Sequence, residues 1–103
     1  MIKYRVWKIY VPTRFNTGGI IPIEHHNTWD KAMSEQVGGL TLLGTVKGMW
    51  TNEYSDMFKE RMIVVMLLVS NERDIPNVIK FTKEHYRQEA ILIIDTHEDA
   101  YIE

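Results

Sequence analysis

The run Met62-Ile63-Val64-Val65-Met66-Leu67-Leu68-Val69, reached from Leu40 to Thr51 across a polar connection, decides the fold of this chain. An unbroken apolar segment of that length, rich in β-branched residues, reads as a strand covered on both faces. Leu40 to Thr51 reads as a second strand beside it. Leu40, Leu42, Val46 and Trp50 share one face by period two, and Leu43 and Met49 occupy the other. Gly44 and Gly48 fall with the first set and point to a bulge or to close approach by a backbone or a ligand. Residues 52 to 60 read as a polar hairpin loop.

Upstream, Ile2 to Val11 reads as a strand that ends at Pro12, which has no N–H for a ladder. Residues 12 to 27 form a long connection with Gly18-Gly19 and Pro22. That length suits either a binding loop or a plain surface excursion. Asn27 is placed to cap a helix, with Asp30 three residues on. Trp29, Met33 and Val37 form its buried stripe, and Gly38-Gly39 stops it. Downstream, Asp74 is placed to cap a second helix with Pro76 in its first turn, and Ile75, Val78, Ile79, Thr82 and Tyr86 lie along one face. Ala90 to Thr96 reads as the last strand, followed by an acidic tail from Glu98 to Glu103.

The order βαββαβ gives an α+β ferredoxin-like sandwich: an antiparallel sheet of order 4-1-3-2 with both helices on one face. With 103 residues, the expectation is one domain spanning 1–103. Twelve basic against fourteen acidic side chains give no cationic excess, which argues against nucleic acid as a partner. The absence of cysteine removes thiolate nucleophiles and thiolate zinc sites. The first residues interrupt apolar positions with Lys3, Arg5 and Lys8, so neither a leader nor a membrane span is read there and a cytoplasmic location is expected.

The third and fourth strands are apolar on both faces, although helices can cover only one. A bare second face would exceed what a soluble monomer exposes. Self-association through the open face, as a trimer or dimer, answers this. The competing reading is that the tail or the first loop folds over it.

The topology brings the ends of strands one and two and the starts of strands three and four to one pole. Arg14 and Phe15 thereby meet Trp50, the hairpin loop with Tyr54, and the pair Glu60-Arg61. A carboxylate, guanidinium groups and aromatic faces suit a small ligand that is part cationic and part flat. A solvated Glu60-Arg61 pair and a core-capping Trp50 are the plainer reading. His25-His26 lacks the spacing of a helical metal pair, His85 reads as a surface or half-buried side chain, and His97-Glu98-Asp99 reads as solvated tail charge or a weak divalent-ion site.

The segment Gly38-Gly39-Leu40-Thr41, Gly44, Gly48-Met49-Trp50 and Glu60 before an apolar strand resembles short phage and bacterial proteins of PII-like form. Among these are the phage S-adenosylmethionine lyases and relatives acting on adenylated S-adenosylmethionine in antiviral signalling. The resemblance implies a trimer with clefts between subunits and a lyase reaction yielding methylthioadenosine and homoserine lactone without water. It implies neither metal nor other cofactor. It gives Glu60 the catalytic role of holding the substrate's amino group, and places Tyr54 loosely at a substrate-contacting tyrosine. Trp50, Arg14, Phe15 and Arg61 complete the candidate substrate site. The alternative is a PII-like or CutA-like trimer that binds a nucleotide or other small ligand without chemistry.

Overall fold

A computed structural model describes residues Met1–Glu103. Its elements are β1 (Ile2–Pro12), α1 (Ile23–Gln36), β2 (Gly39–Thr51), β3 (Met57–Val69), a 3-10 turn (Glu72–Asp74), α2 (Ile75–Tyr86) and β4 (Ile93–Ile102). The sheet runs β2-β3-β1-β4 with every neighbouring pair antiparallel, the expected ferredoxin-like βαββαβ topology. No helix is long and apolar enough to cross a membrane.

The core lies between the helices and one face of the sheet. Ile9 and Val11 of β1 and Val65, Leu67 and Val69 of β3 meet Trp29 and Met33 of α1 and Ile75, Val78 and Tyr86 of α2. All of these are buried, and the α1 stripe closes with Val37. Covering side chains of this size contributes about 1.5–3 kcal/mol each in transfer free energy.

Three boundaries and one cap differ from those read in the sequence. Helix α1 starts at Ile23 after Pro22, so Asn27 lies inside the helix and caps nothing. Pro22 carries the first turn instead, its carbonyl accepting the His25 N–H at 3.1 Å while Ile21 anchors in the core. Asp74 holds the residue before α2 but makes no side-chain cap. It closes the 3-10 turn, whose first N–H groups are met by Asn71. The hairpin loop is only 52–56: Asn52 Oδ1 accepts from the Tyr54 and Asp56 amides and tightens the turn. Glu60 and Arg61 therefore stand within β3, not at its start.

The last strand is displaced furthest. It begins at Ile93, and the acidic tail is not a tail but the second half of β4, paired along β1 from Ile2 to Val6. A bulge between the two halves puts His97 at φ 57°, with Asp95 Oδ1 accepting the His97 amide at 2.9 Å. Cross-strand charge holds the acidic half: Arg5 lies 3.6 Å from Asp95 and 3.5 Å from Asp99, and Lys3 lies 3.5 Å from Asp99. The tail thus does not fold over the open face.

Strand β2 carries a bulge at Leu43. Leu42 pairs with Val65, but Gly44 pairs with Val64, so Leu43 is an extra residue and Gly44 takes φ +117°. Such a backbone favours glycine. Leu40 and Leu42 therefore face the helices, whereas Val46, Gly48 and Trp50 face away, and the single face expected for all of them is split. On the side without helices, Val46, Trp50, Phe58 and Ile94 are left exposed.

Candidate functional site

The β2–β3 hairpin is longer than the rest of the sheet. Strand β1 ends at Pro12, opposite Met62, so Met57 to Arg61 project beyond it as a two-stranded arm with Lys47 to Thr51. The chain leaves β1 by binding to the base of this arm: the Thr13 amide and hydroxyl both donate to the Arg61 carbonyl, at 3.4 and 3.0 Å. It then makes a small loop closed by Phe15 and Gly19, with Gly18 at φ +94° and the Arg14 guanidinium donating to the Gly18 carbonyl at 2.9 Å.

Two adjoining cavities lie between the arm, this loop and the α2–β4 connection. The larger, about 1010 Å³, is lined by Arg14, Phe15, Trp50, Phe58, Lys59, Glu60, Arg61 and Gln88 among others. The smaller, about 500 Å³, continues along the helix-free side past Tyr10, Gly48, Met62 and Leu92. Trp50, Glu60 and Gln88 border both. Trp50 stacks on Phe58, centroids 4.5 Å apart and planes at 17°. This pair makes a flat apolar wall next to the half-buried Glu60 carboxylate. Gly48, directly opposite Glu60 in the ladder, adds no side chain to the wall; a Cβ there would strike the end of Met62.

The structure brings Arg14, Phe15, Trp50, Glu60 and Arg61 around the larger cavity, as the topology implied. It does not bring Tyr54, which stands at the tip of the hairpin, 77% exposed, and lines neither cavity. Phe58 and Gln88 were not singled out in the sequence. Phe58 was lost in the supposed loop, although its pairing opposite Trp50 follows once the turn is shortened. Gln88 was accessible to the same topological argument, because β4 begins at this pole and α2 must therefore end there.

The histidines belong to the frame rather than to the cavity wall. His25 and His85 stack at 3.8 Å, and each Nε2 lies 2.7 Å from the other's backbone carbonyl. A carbonyl only accepts, so both Nε2 atoms carry the proton. At the adjacent positions His26 Nδ1 bonds to the Tyr86 hydroxyl at 2.7 Å, and one turn along the Trp29 indole donates to Thr82 at 3.0 Å. Burial lowers the His26 pKa, against the opposing pull of Asp30, and raises those of Asp30 and Tyr86. This ladder joins the start of α1 to the end of α2. It holds Phe15, whose ring meets His25 edge-on at 5.3 Å and carries the Arg87 guanidinium at 5.4 Å. His97 projects from the β4 bulge, and Asp99 is engaged by Lys3 and Arg5.

No protein-family model and no curated protein matches the chain by sequence. Solved structures match by fold. The divalent cation tolerance protein Cut A1 from Thermus thermophilus superposes with a TM-score of 0.65 at 13% identity, over 98% of this chain and 84% of that one. A phage SAM lyase in complex with S-methyl-5'-thioadenosine superposes with the same TM-score and identity, over 87% of this chain and 78% of that one. A Bacillus cereus protein related to NIF3 gives 0.58 at 12% identity, over 91% of this chain but 26% of its own. At these identities the likeness is one of fold alone.

Proposed function

We propose that the chain is a lyase that cleaves S-adenosylmethionine, or its adenylated conjugate, by intramolecular displacement in the cleft beside Glu60. The observation that carries this reading is the juxtaposition of one half-buried carboxylate with the Trp50–Phe58 stack at the junction of two cavities. The phage SAM lyase among the fold neighbours supports it. The substrate combines a flat adenine, a sulfonium cation and an ammonium group. Aromatic faces accept the first two, and a carboxylate pairs with the third.

The chemistry asks little of the protein. The substrate's own carboxylate oxygen attacks the carbon bonded to sulfur, and the carbon–sulfur bond breaks with its electron pair passing to sulfur. Methylthioadenosine leaves neutral, homoserine lactone keeps the ammonium, and no proton moves. What accelerates such a step is a folded substrate held with the reacting atoms in contact and water excluded. Glu60 orients the ammonium end, the aromatic wall holds the nucleoside, and Arg14, Lys59 and Arg61 supply positive charge for a phosphate if the conjugate is the substrate. A second copy of the chain, in a homo-oligomer of trimeric form, covers the exposed face around Val46 and closes the cleft.

Incubation with each compound, followed by chromatography for methylthioadenosine, tests the activity. Glu60→Gln is expected to lower turnover at least ~100-fold with an unchanged melting temperature. Turnover at the parent rate in that variant removes Glu60 from the mechanism. Saturable binding without product would instead favour a non-enzymatic small-ligand sensor, the reading to which the Cut A1 likeness lends weight. Light scattering on the purified chain reports the association.

A further inference from the structure

The connection after α2 holds one side chain in a way that the frame alone does not require. Arg87 ends the helix in the left-handed conformation, φ 55°, and the Gln88 amide closes the turn by donating to the Lys83 carbonyl at 2.9 Å. The Gln88 side chain then reaches back. Its Nε2 donates to Asn16 Oδ1 at 3.1 Å and to the Tyr86 carbonyl at 3.2 Å. Asn16 in turn donates through Nδ2 to the Arg87 carbonyl at 3.2 Å. Both amide orientations are fixed by this arrangement: the carbonyls of Tyr86 and Arg87 only accept, so each must face an NH₂ group, which leaves Asn16 Oδ1 to receive Gln88. Both N–H bonds of Gln88 are thereby consumed. Its Oε1 has no partner in the chain, and Gln88 borders both cavities together with Glu60 and Trp50.

A preorganised acceptor of this kind reads a donor on whatever enters. We infer that Gln88 is a specificity-determining residue of the cleft, its Oε1 receiving one N–H of a ligand ammonium whose charge is paired by Glu60. The inference rests on the ligand reading of the cleft and names which part of the ligand this second acceptor recognises. Asn16 acts through Gln88 and is a positioning residue. Two acceptors that border the same cavities from different elements, β3 and the α2–β4 connection, discriminate against ligands that lack the ammonium, because a donor-free ligand leaves both desolvated and unpaired.

The probes are S-adenosylmethionine, which carries the ammonium, and methylthioadenosine, which lacks it but keeps the adenine and its amino group. Dissociation constants come from calorimetry on the parent and on Gln88→Met, Gln88→Glu and Asn16→Ala, with melting temperatures recorded for each. Gln88→Met is expected to weaken S-adenosylmethionine about tenfold or more while changing methylthioadenosine less than ~2-fold, the factor carried by one hydrogen bond to a charged group. Gln88→Glu loses the bonds to Asn16 and the Tyr86 carbonyl and melts lower, yet keeps an oxygen for the ammonium, so its preference for S-adenosylmethionine over methylthioadenosine stays at or above that of the parent. Asn16→Ala weakens S-adenosylmethionine less than Gln88→Met does. Equal losses for the two probes in Gln88→Met, or an unchanged preference, overturn the role of Gln88 even if the parent turns substrate over. Selective weakening in a parent that turns over neither S-adenosylmethionine nor its adenylated conjugate upholds Gln88 and overturns the lyase reading. Failure of the parent to bind either probe overturns both.

Discussion

Thr82→Val isolates the fully buried bond among those that join the two helices. Thr82 and Trp29 are fully buried, and the Thr82 hydroxyl accepts the Trp29 indole N–H at 3.0 Å while donating to the Val78 carbonyl at 2.6 Å. Valine keeps the shape of threonine and removes only the oxygen. The Val78 carbonyl stays within the helix, so little is lost there. The indole N–H, however, is left in the core without a partner. An orphaned buried donor costs about 1–3 kcal/mol. For a chain of this size each kcal/mol lowers the melting temperature by about 4–8 °C. Urea unfolding of Thr82→Val, Trp29→Phe and the double variant measures both the cost and its origin. Trp29→Phe removes the donor, so the double variant is expected to be more stable than the sum of the single losses by about 1 kcal/mol or more. A Thr82→Val stability within ~0.3 kcal/mol of the parent, or strict additivity, refutes the stabilising role of this bond.

Gly38→Ala is expected to destabilise by about 1–3 kcal/mol in the same assay, because the added Cβ lands on the Tyr4 ring while the Gly38 amide is held to the Leu68 carbonyl at 2.8 Å; an unchanged midpoint would show that the ring yields freely. Burial lowers the His26 pKa below its ordinary 6.5, so the unfolded chain takes up a proton first and stability falls as the pH drops below about 6.5. Asp30 shifts the opposite way, its folded pKa raised, and restores part of that loss once the pH falls towards its own titration. His26→Asn, which keeps an acceptor for the Tyr86 hydroxyl, should flatten the stability profile between pH 7 and 5; a profile identical to that of the parent would place the dependence elsewhere. Trp50→Ala is expected to weaken adenosine-bearing ligands about tenfold or more, with a change in melting temperature of only ~1–2 °C, since Trp50 is 52% exposed and stacks only on Phe58. Equal ligand affinity in that variant would remove the aromatic wall from recognition.

The fold was legible because its signals are long and periodic. The apolar run of β3 and the Trp29-Met33-Val37 stripe of α1 each leave one choice of element, and the order of elements leaves one sheet. The boundaries were less so, for identifiable reasons. The start of α1 carries no capping side chain, so the nearest good capping residue, Asn27, drew the boundary four residues inward. The acidic half of β4 looks like solvated tail until its partners are known. Lys3 and Arg5, nearly a hundred residues away, make those charges a cross-strand match that no local window contains. At the site, the gathering of Arg14, Phe15, Trp50, Glu60 and Arg61 followed from strand direction alone. The Gln88–Asn16 clasp did not, because it depends on a left-handed turn at Arg87, a residue type that gives no hint of that conformation.

The extra residue in β2 has a further consequence. It puts the two halves of the strand in antiphase, so that Leu40 and Leu42 serve the interior while Gly48 and Trp50 serve the rim. With Leu43 cut out, Leu42 and Gly44 would be consecutive and would still oppose Val65 and Val64, so the indole would keep its place beside the Glu60 carboxylate. Pairing all the residues in regular alternation, Leu43 included, would instead turn the indole to the opposite surface of the arm. The single unpaired position is thus what lets one strand serve both the interior and the rim.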